Sequence, residues 1–380
     1  MVPDERFMAM ALTLARRGLG NVYPNPAVGC VVMRDGVVVG RGWTVAGGRP
    51  HAEIVALQNA GNRAIGATVY VTLEPCCHDG VTGPCTSALI NAGVRRVVIG
   101  VQDPDYRVSG KGISSLETAG IEVKYGVLQQ QAEALNAGFF YSKVLHRPLI
   151  TAKLAATLDG KISFDGGCDR WITNDLTRRW VHKQRAMYDA ILVGSNTVVA
   201  DNPMLDCRLP GLEKHSPIRV VVDRSGKLLA QHKIVCTAST IPTYIVTDNE
   251  PQCIFENVKY IKVDGGTEFL ENMVRALTAQ LGITRLFVEG GGILITELLK
   301  KKLIDRFIWT RANKISGDKG LNSITDIDAQ FGQCCQFVKT DTLSFFDDTV
   351  DLFDVKYTQL RSNLEEFPNS GTKPFSPAKC

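Results

Sequence analysis

The chain has 380 residues, of which 44% are hydrophobic and 22% charged, a composition typical of folded globular proteins that excludes global disorder. This length exceeds the size at which one hydrophobic core usually stops growing, so we expect at least two domains. The formal net charge is only +4 and the basic residues are spread along the chain, so charge gives no argument for a nucleic acid or membrane partner.

The beginning of the chain carries acids where a secretory signal would carry bases, and no run reaches the roughly 18 apolar residues of a membrane span. The 11 cysteines are an odd number, which would leave an unpaired thiol in a secreted disulfide framework. We therefore expect a cytoplasmic protein whose thiols are free or bound to metal.

The first part of the chain alternates strand and helix patterns. Two β-branched runs, at 27–33 and 37–41, flank Asp35-Gly36 and predict a β-hairpin. The following predicted elements are a helix at about 50–60, a strand at 67–72, a helix at 85–91, a strand at 96–101, a helix at 112–119 and a strand at 121–125. A hairpin followed by helix–strand units predicts a layered α/β domain.

The segment His146-Arg147-Pro148 favours an extended connector, so we expect a first domain over residues 1–146 and a second over 147–360. The second domain is predicted to be α/β as well, with strands at 149–155, 190–194, 219–222 and 285–289, a helix capped near Thr173 or Asn174, and a helix at 268–280. Residues 361–380 are rich in Ser, Pro, Asn and Lys, which predicts a disordered tail.

One histidine and two cysteines form the first chemical pattern. His51 begins a predicted helix, Cys76 follows a predicted strand and Cys85 opens the next helix. One imidazole and two thiolates suit a zinc site whose fourth position stays open, as catalysis requires, and bound zinc lowers the pKa of water to near neutrality. Glu53, two residues from His51, is predicted to move protons rather than bind the metal, as in nucleobase deaminases.

The spacing between the two cysteines distinguishes between families of zinc-dependent deaminases. Nucleobase and transfer-RNA editing deaminases typically have two residues between them, whereas this chain has the eight residues 77–84. The motifs HAE at 51–53, YVTLEPC at 70–76, PC at 84–85, PNPAVG at 24–29 and DP at 103–104 resemble the deaminase half of the bifunctional riboflavin-biosynthesis deaminase/reductase family. This resemblance implies a cytidine-deaminase-like three-layer fold.

By the same resemblance, Asn25 lies in the substrate pocket, although an asparagine in a Pro-rich turn is equally well explained by turn formation. The sequence departs from the family at Thr44, where histidine is frequent, and at Gly83, where proline is frequent.

The second domain carries a glycine run. Gly290-Gly291-Gly292 lies between a predicted strand and an apolar helix that begins at Ile293, which suits either a phosphate site or a tight turn. Asp201 and Arg208 flank Asn202-Pro203 and could position a phosphorylated substrate or form a surface ion pair.

The motifs KLAATLDGK at 153–161, DAILVG at 189–194, DNP at 201–203 and VEGG at 288–291 resemble the reductase half of the same family, which has a dihydrofolate-reductase-like fold. The resemblance implies an NADPH site that comprises Ala155, Trp171, Thr197, Asp201, Gly291, Gly292, Ile293, Leu294, Ile295, Thr296 and Glu297. It implies that the ribose phosphate meets Asp169, Arg185, Leu205, Arg208 and Glu289. Lys153 and Asp201 are candidates for proton handling. Asp169, the pair Asp206-Cys207 and Arg224 depart from the family pattern.

The resemblance implies a zinc- and NADPH-dependent enzyme that deaminates 2,5-diamino-6-ribosylamino-pyrimidinone 5′-phosphate and then reduces its ribosyl group to ribityl. It also implies a homo-oligomer with a small phosphorylated pyrimidine as substrate. From the low net charge and its even distribution we expect no nucleic acid or membrane partner. Two alternatives are a nucleic-acid editing deaminase with an appended binding domain and a zinc-stabilised, catalytically silent interaction protein. The cysteine spacing and low net charge argue against the first, and Glu53 argues against the second.

Overall fold

The computed structural model describes residues 3–78, 83–164, 171–251, 253–327 and 331–358. The predicted tail at 361–380 and the predicted substrate residue Asp169 lie outside the described residues. The chain divides into two compact units, Met1–Arg147 and Pro148–Cys380. None of the described helices combines the length and the apolar character that crossing a membrane requires.

The first unit is a five-stranded mixed sheet with helices packed on it. Its strands are β1 (Gly29–Arg34), β2 (Val37–Trp43), β3 (Thr68–Leu73), β4 (Arg96–Val101) and β5 (Glu122–Lys124), in the order β2-β1-β3-β4-β5. β1 pairs antiparallel with β2 and β3, while β3, β4 and β5 run parallel. Its helices are α1 (Pro3–Ala15), α2 (Ala52–Ala60), α3 (Cys85–Asn91), α4 (Lys111–Thr118), α5 (Gln129–Leu135) and α6 (Ala137–Val144).

The predicted hairpin is confirmed, and local backbone geometry explains it. Asp35 and Gly36 have φ of 50° and 80°, the pair of positive values that a type I′ turn needs to match strand twist. β2 lies directly against α2, so closely that a Cβ on Gly42 would come within 2.3 Å of the Ala52 carbonyl oxygen. The close approach that glycine permits fixes the start of α2, the helix that follows His51.

The second unit is a nine-stranded sheet. Its strands are β6 (Leu149–Ala156), β7 (Ala190–Gly194), β8 (Ile218–Val222), β9 (Thr243–Thr247), β10 (Val258–Lys262), β11 (Arg285–Val288), β12 (Arg306–Arg311), β13 (Cys335–Phe345) and β14 (Asp348–Tyr357). The order is β10-β9-β8-β7-β11-β6-β12-β14-β13, parallel from β10 to β12 and antiparallel in its last two pairs. Its helices are α7 (Asp175–Arg185), α8 (Ser195–Asp201), α9 (Lys233–Cys236), α10 (Phe269–Leu281), α11 (Gly292–Lys300) and α12 (Phe331–Cys334).

The α/β class predicted for both units is confirmed, as is the predicted cap of α7. The Asn174 side chain accepts a hydrogen bond of 3.0 Å from the Thr177 backbone N–H, which satisfies a donor at the helix start. The prediction omitted α1, α5 and α6 in the first unit, and α8, α9, α12, β9, β10, β12, β13 and β14 in the second. Three of these strands, β12, β13 and β14, form one side of the second sheet.

Candidate zinc and reductase sites

The three predicted zinc ligands come from three positions that the first sheet brings together. His51 is the extended residue that precedes α2, Cys76 lies in the loop after β3 and Cys85 is the first residue of α3. The His51 Nδ1 atom is 3.3 Å from the Cys85 sulfur and 3.6 Å from the Cys76 sulfur. The three ligand atoms all lie within 4.8 Å of one another.

This donor set fits zinc. Tetrahedral coordination with Zn–S near 2.3 Å and Zn–N near 2.0 Å places neighbouring ligand atoms roughly 3.5 Å apart, which is the spacing seen here. The Cys85 backbone N–H also points at the Cys76 sulfur at 3.4 Å. Hydrogen bonds from the Cys85 side chain and from His51 lower the pKa of Cys76 to about 4, which favours the thiolate, the form that binds metal.

Glu53 lies in the first turn of α2 and its side chain is almost fully buried, with 3% of the residue exposed. Burial, followed by the negative charge of Cys76, raises the pKa of Glu53 to about 7. The carboxyl group is thus held out of bulk water, two residues along the chain from His51.

A second buried carboxylate, Glu74, lies in the loop that carries Cys76 and binds the segment between β4 and the first turn of α4. Glu74 Oε2 accepts backbone N–H groups from Asp103 at 3.2 Å and Gly110 at 3.1 Å, and Oε1 accepts them from Gly112 at 2.9 Å and Ile113 at 3.1 Å. The sequence contained Glu74 in its motif but gave no reason to assign it a role, because all four donors lie 29 to 39 residues away.

The structure gives Thr44 a definite role. Its hydroxyl accepts the Val28 backbone N–H at 2.9 Å and donates to the Pro26 carbonyl at 3.1 Å. Thr44 therefore holds the turn that contains Asn25, which is partly buried. The contact between Asn25 and substrate stays a prediction.

In the second unit, a buried ion pair lies at the end of β11. Arg185 Nε and Nη2 donate to the two carboxylate oxygens of Glu289 at 2.5 and 3.0 Å, and the side chains are only 13% and 11% exposed. Burial and the charge of Arg185 lower the pKa of Lys153, while Glu289 opposes this shift. Three of the predicted residues thus form one charged cluster.

Arg208 joins this cluster through Asp206. Arg185 Nη1 donates to the Asp206 carbonyl at 2.9 Å, and the Arg208 Nε atom is 3.4 Å from the Asp206 carboxylate. His182, which the sequence analysis missed, lies beside both arginines. Leu205 differs from the rest of the predicted set, because only 3% of the residue is exposed and its side chain packs in the hydrophobic core.

Two of the predicted cofactor segments meet at the start of α11. The Gly291 N–H donates to the Thr197 hydroxyl at 3.1 Å, which joins the segments that follow the adjacent strands β7 and β11. A Cβ on Gly292 would lie 2.6 Å from the Ser323 carbonyl oxygen, so only glycine fits there. The N-terminus of a nine-residue helix and this glycine turn fit a phosphate of NADPH.

The other predicted cofactor residues differ in exposure. Trp171 is 48% exposed and Arg178 lies over its ring at 4.7 Å, whereas Ala155 is partly buried on β6 and Asp201 is exposed at the end of α8. On α11 the side chains of Ile293 and Glu297 are exposed, Leu294 is partly buried, and Ile295 and Thr296 are buried. Buried Thr296 instead accepts the Thr325 backbone N–H at 3.1 Å.

Arg224 follows β8 and is paired with Asp248, which follows β9. Its Nη2 and Nε atoms donate to the Asp248 carboxylate at 2.6 and 3.0 Å, and its guanidinium lies 4.7 Å from the Phe269 ring centroid. This departure from the family pattern therefore forms an ion pair between neighbouring strand ends.

Comparison with known proteins gives matches in both units. Residues 1–101 match the cytidine and deoxycytidylate deaminase zinc-binding region, and residues 148–344 match the RibD C-terminal domain. Riboflavin biosynthesis protein RibD of Aquifex aeolicus is 40% identical over 335 residues, which cover 85% of this chain and 92% of that protein. The Escherichia coli protein of the same name is 40% identical and covers 83% of this chain and 89% of its own length.

Solved structures agree with these matches. RibD of Acinetobacter baumannii has a TM-score of 0.85 at 34% identity and covers 93% of this chain and 99% of that one. A diaminohydroxyphosphoribosylaminopyrimidine deaminase/5-amino-6-(5-phosphoribosylamino)uracil reductase of Thermotoga maritima has a TM-score of 0.82 at 35% identity and covers 92% of this chain and 98% of that one.

Proposed function

This chain belongs to the RibD family of bifunctional riboflavin-biosynthesis enzymes, and from that premise we propose which of its residues carry the two reactions. It has a zinc-dependent deaminase domain and an NADPH-dependent reductase domain, and matches in both halves do not favour the editing-deaminase alternative. We propose domain limits of 1–146 and 147–360. The division into compact units at Arg147 supports them.

We propose that the first domain removes the amine of 2,5-diamino-6-ribosylamino-pyrimidinone 5′-phosphate, the substrate class that the name of the Thermotoga maritima relative supports. His51, Cys76 and Cys85 would hold the zinc, since their ligand atoms converge within 4.8 Å. Zinc in such a site supplies a water molecule acidified to near neutral pKa. Buried Glu53 would take one proton from the attacking water and give it to the ring nitrogen as the C–O bond forms. It would then carry the remaining hydroxyl proton to the amine, which leaves as ammonia when the C–N bond breaks, while Asn25 pairs with the pyrimidine edge.

We propose that the second domain binds the phosphate of the deaminated product with Arg208, beside the Arg185–Glu289 pair. NADPH supplies the hydride. Lys153 and Asp201 are the candidates that hold or deliver a proton at the opened sugar; the lowered pKa of Lys153 suits this task, since a lysine that gives up its proton more readily is a better acid. Leu205 contributes backbone contacts, and Asp169 is assigned to this site from sequence alone.

The observation that carries the proposal is the convergence of three metal-binding side chains beside a buried glutamate. The test is Glu53→Gln, which keeps the shape of the side chain but cannot carry a proton as a carboxylate does. We expect ammonia release to fall at least about a hundredfold with unchanged zinc content. In the same variant, reduction of supplied deaminated substrate should persist. Retained ammonia release would contradict the role of Glu53.

We further propose that the protein acts in the cytoplasm as a homo-oligomer on a small phosphorylated pyrimidine, with no nucleic acid or membrane partner, as membership of its family implies. Light scattering after size exclusion measures the oligomeric state. A monomeric mass at micromolar concentration would contradict the oligomer.

A further inference from the structure

His182 lies on α7, three residues before Arg185, and faces the segment that carries Arg208. Its Nδ1 atom is 3.0 Å from the Asp206 carbonyl oxygen, and its Nε2 atom is 3.3 Å from Arg208 Nη2. The same helix turn also accepts a contact from Cys207, whose sulfur lies 3.3 Å from the His182 carbonyl oxygen. The imidazole therefore lies between α7 and the segment that contains Asp206 and Cys207, the pair that departs from the family pattern.

The partners of the ring determine which nitrogen carries the hydrogen. A carbonyl oxygen can only accept, so the 3.0 Å contact with Asp206 requires a hydrogen on Nδ1. The Arg208 guanidinium can only donate, so Nε2 must offer a lone pair. The Arg208 backbone N–H also lies 3.3 Å from Nδ1, but the opposite tautomer that would accept it places two donors face to face at Nε2. The neutral Nδ1–H form satisfies both the Asp206 carbonyl and the Arg208 guanidinium, whereas the opposite tautomer satisfies only the Arg208 backbone N–H.

The surroundings favour this neutral form. Burial first, and then the positive charges of Arg185 and Arg208, lower the pKa of His182 below its ordinary value. Hydrogen bonding to the Asp206 carbonyl and the charge of Glu289, at the end of β11, act in the opposite direction. Arg185 is itself bound by Glu289, which leaves Arg208, whose side chain is 59% exposed, as the cation that neutral His182 contacts.

We propose that neutral His182 is a positioning residue that aims the Arg208 guanidinium at the 5′-phosphate of the reductase substrate. This inference rests on the role proposed above for Arg208. Protonation of His182 replaces the acceptor at Nε2 with a donor and adds a positive charge beside the guanidinium, so Arg208 loses this contact and is left with its ion pair to the Asp206 carboxylate at 3.4 Å. The affinity for the phosphorylated substrate then falls in acid, while the hydride step, which His182 does not touch, is unchanged.

The test compares two substitutions of His182. His182→Gln offers an amide oxygen near the position of Nε2 but does not titrate, and His182→Leu removes the acceptor altogether. Lys183→Gln, an exposed neighbour on the same helix, is the matched control. The measurements are KM and kcat for supplied deaminated substrate and the inhibition constant of ribose 5-phosphate, each between about pH 5.5 and about pH 8.

We expect His182→Leu to raise KM and the inhibition constant about tenfold at pH 8, with kcat within about twofold, as for loss of a hydrogen bond to a charged group. His182→Gln should restore most of the affinity at pH 8. In acid, the KM of His182→Gln should rise only because the substrate phosphate, whose second pKa is near 6, loses negative charge. The wild type and Lys183→Gln should show a steeper rise.

Identical pH profiles for wild type and His182→Gln would overturn the proposal. So would a wild-type KM that falls in acid, since that result would mean that protonated His182 binds the phosphate itself. Arg208→Ala separates the two levels of the argument. If Arg208→Ala leaves KM unchanged, the role proposed for Arg208 fails; if it raises KM while His182→Leu does not, only the positioning role of His182 fails.

Discussion

Glu74 offers a quantitative test of how the deaminase site is held together. Its carboxylate accepts four backbone N–H groups, two on each oxygen, and only 3% of the residue is exposed. In Glu74→Gln, one amide oxygen keeps two of these donors, and the amide NH₂ group faces the other two. Those two N–H groups, from Asp103 and Gly110 or from Gly112 and Ile113, are then buried without an acceptor.

Hydrogen bonds to charged groups contribute about 1.5–3 kcal/mol each, so losing two lowers the free energy of unfolding of the first unit by about 3–6 kcal/mol. Urea-induced release of zinc to a colorimetric chelator measures this unit specifically, because the predicted ligands all lie in it. Deamination should weaken as well, since Glu74 lies two residues before Cys76 in the loop that follows β3.

Glu117→Gln is the matched control, because Glu117 is exposed on α4. It should release zinc at the wild-type urea concentration. Reduction of supplied deaminated substrate should be unchanged in both variants. Equal urea midpoints for Glu74→Gln and Glu117→Gln would refute the account of Glu74.

Three further substitutions test separate contacts. Burial raises the pKa of Asp103 to about 7, so between its ordinary value and about 7 the folded state holds a proton that the unfolded chain has lost. The free energy of unfolding of the first unit should therefore fall as pH rises through this window. Urea titrations at about pH 5 and about pH 8 should show this fall in the wild type and a smaller one in Asp103→Asn; an equal fall in both proteins would contradict this account. Arg219→Met should lower the free energy of unfolding of the second unit, measured by calorimetry, by about 3 kcal/mol or more, because it leaves buried acceptors without a donor. An unchanged melting transition would show that these acceptors find other donors. Those acceptors are the hydroxyls of Thr237 and Thr243 and the carbonyls of Met204, Ile234 and Ile241. Gly292→Ala should weaken NADPH binding in a fluorescence titration, because its Cβ would collide with the Ser323 carbonyl and displace the start of α11; wild-type affinity would place the cofactor elsewhere.

The zinc ligands could be predicted because their signal is local. His51 and Glu53 share one short motif, and Cys76 and Cys85 each adjoin an element whose pattern is strong. The hairpin turn is equally local, since Asp35-Gly36 alone specifies the two positive φ values.

The omitted elements lack such signals. α1 begins at Pro3 with acids in its first turn, and these acids argue against a secretory signal more clearly than they indicate a helix. β13 alternates between partly buried and exposed residues, and polar residues interrupt its inward side, on which Leu343 and Phe345 pack against the core, so its apolar pattern is weak.

The missed roles depend on contacts between distant parts of the chain. His182 reaches residues 24 and 26 positions away, and a single sequence does not indicate which of its six histidines makes such contacts. Leu205 shows the opposite case, because similarity to a family assigns a position without showing whether the side chain or the backbone faces the ligand.

The central claim is that one chain performs both reactions with separate sets of residues. Mass spectrometry of the products formed from the diaminopyrimidinone ribosyl phosphate and NADPH tests it most directly, with wild type and Glu53→Gln compared side by side. We predict that the wild type yields a product that is both deaminated and reduced, and that Glu53→Gln leaves the starting compound intact but still reduces supplied deaminated substrate. A wild-type product that is deaminated and never reduced, or a Glu53→Gln variant that fails on both substrates, would contradict the claim.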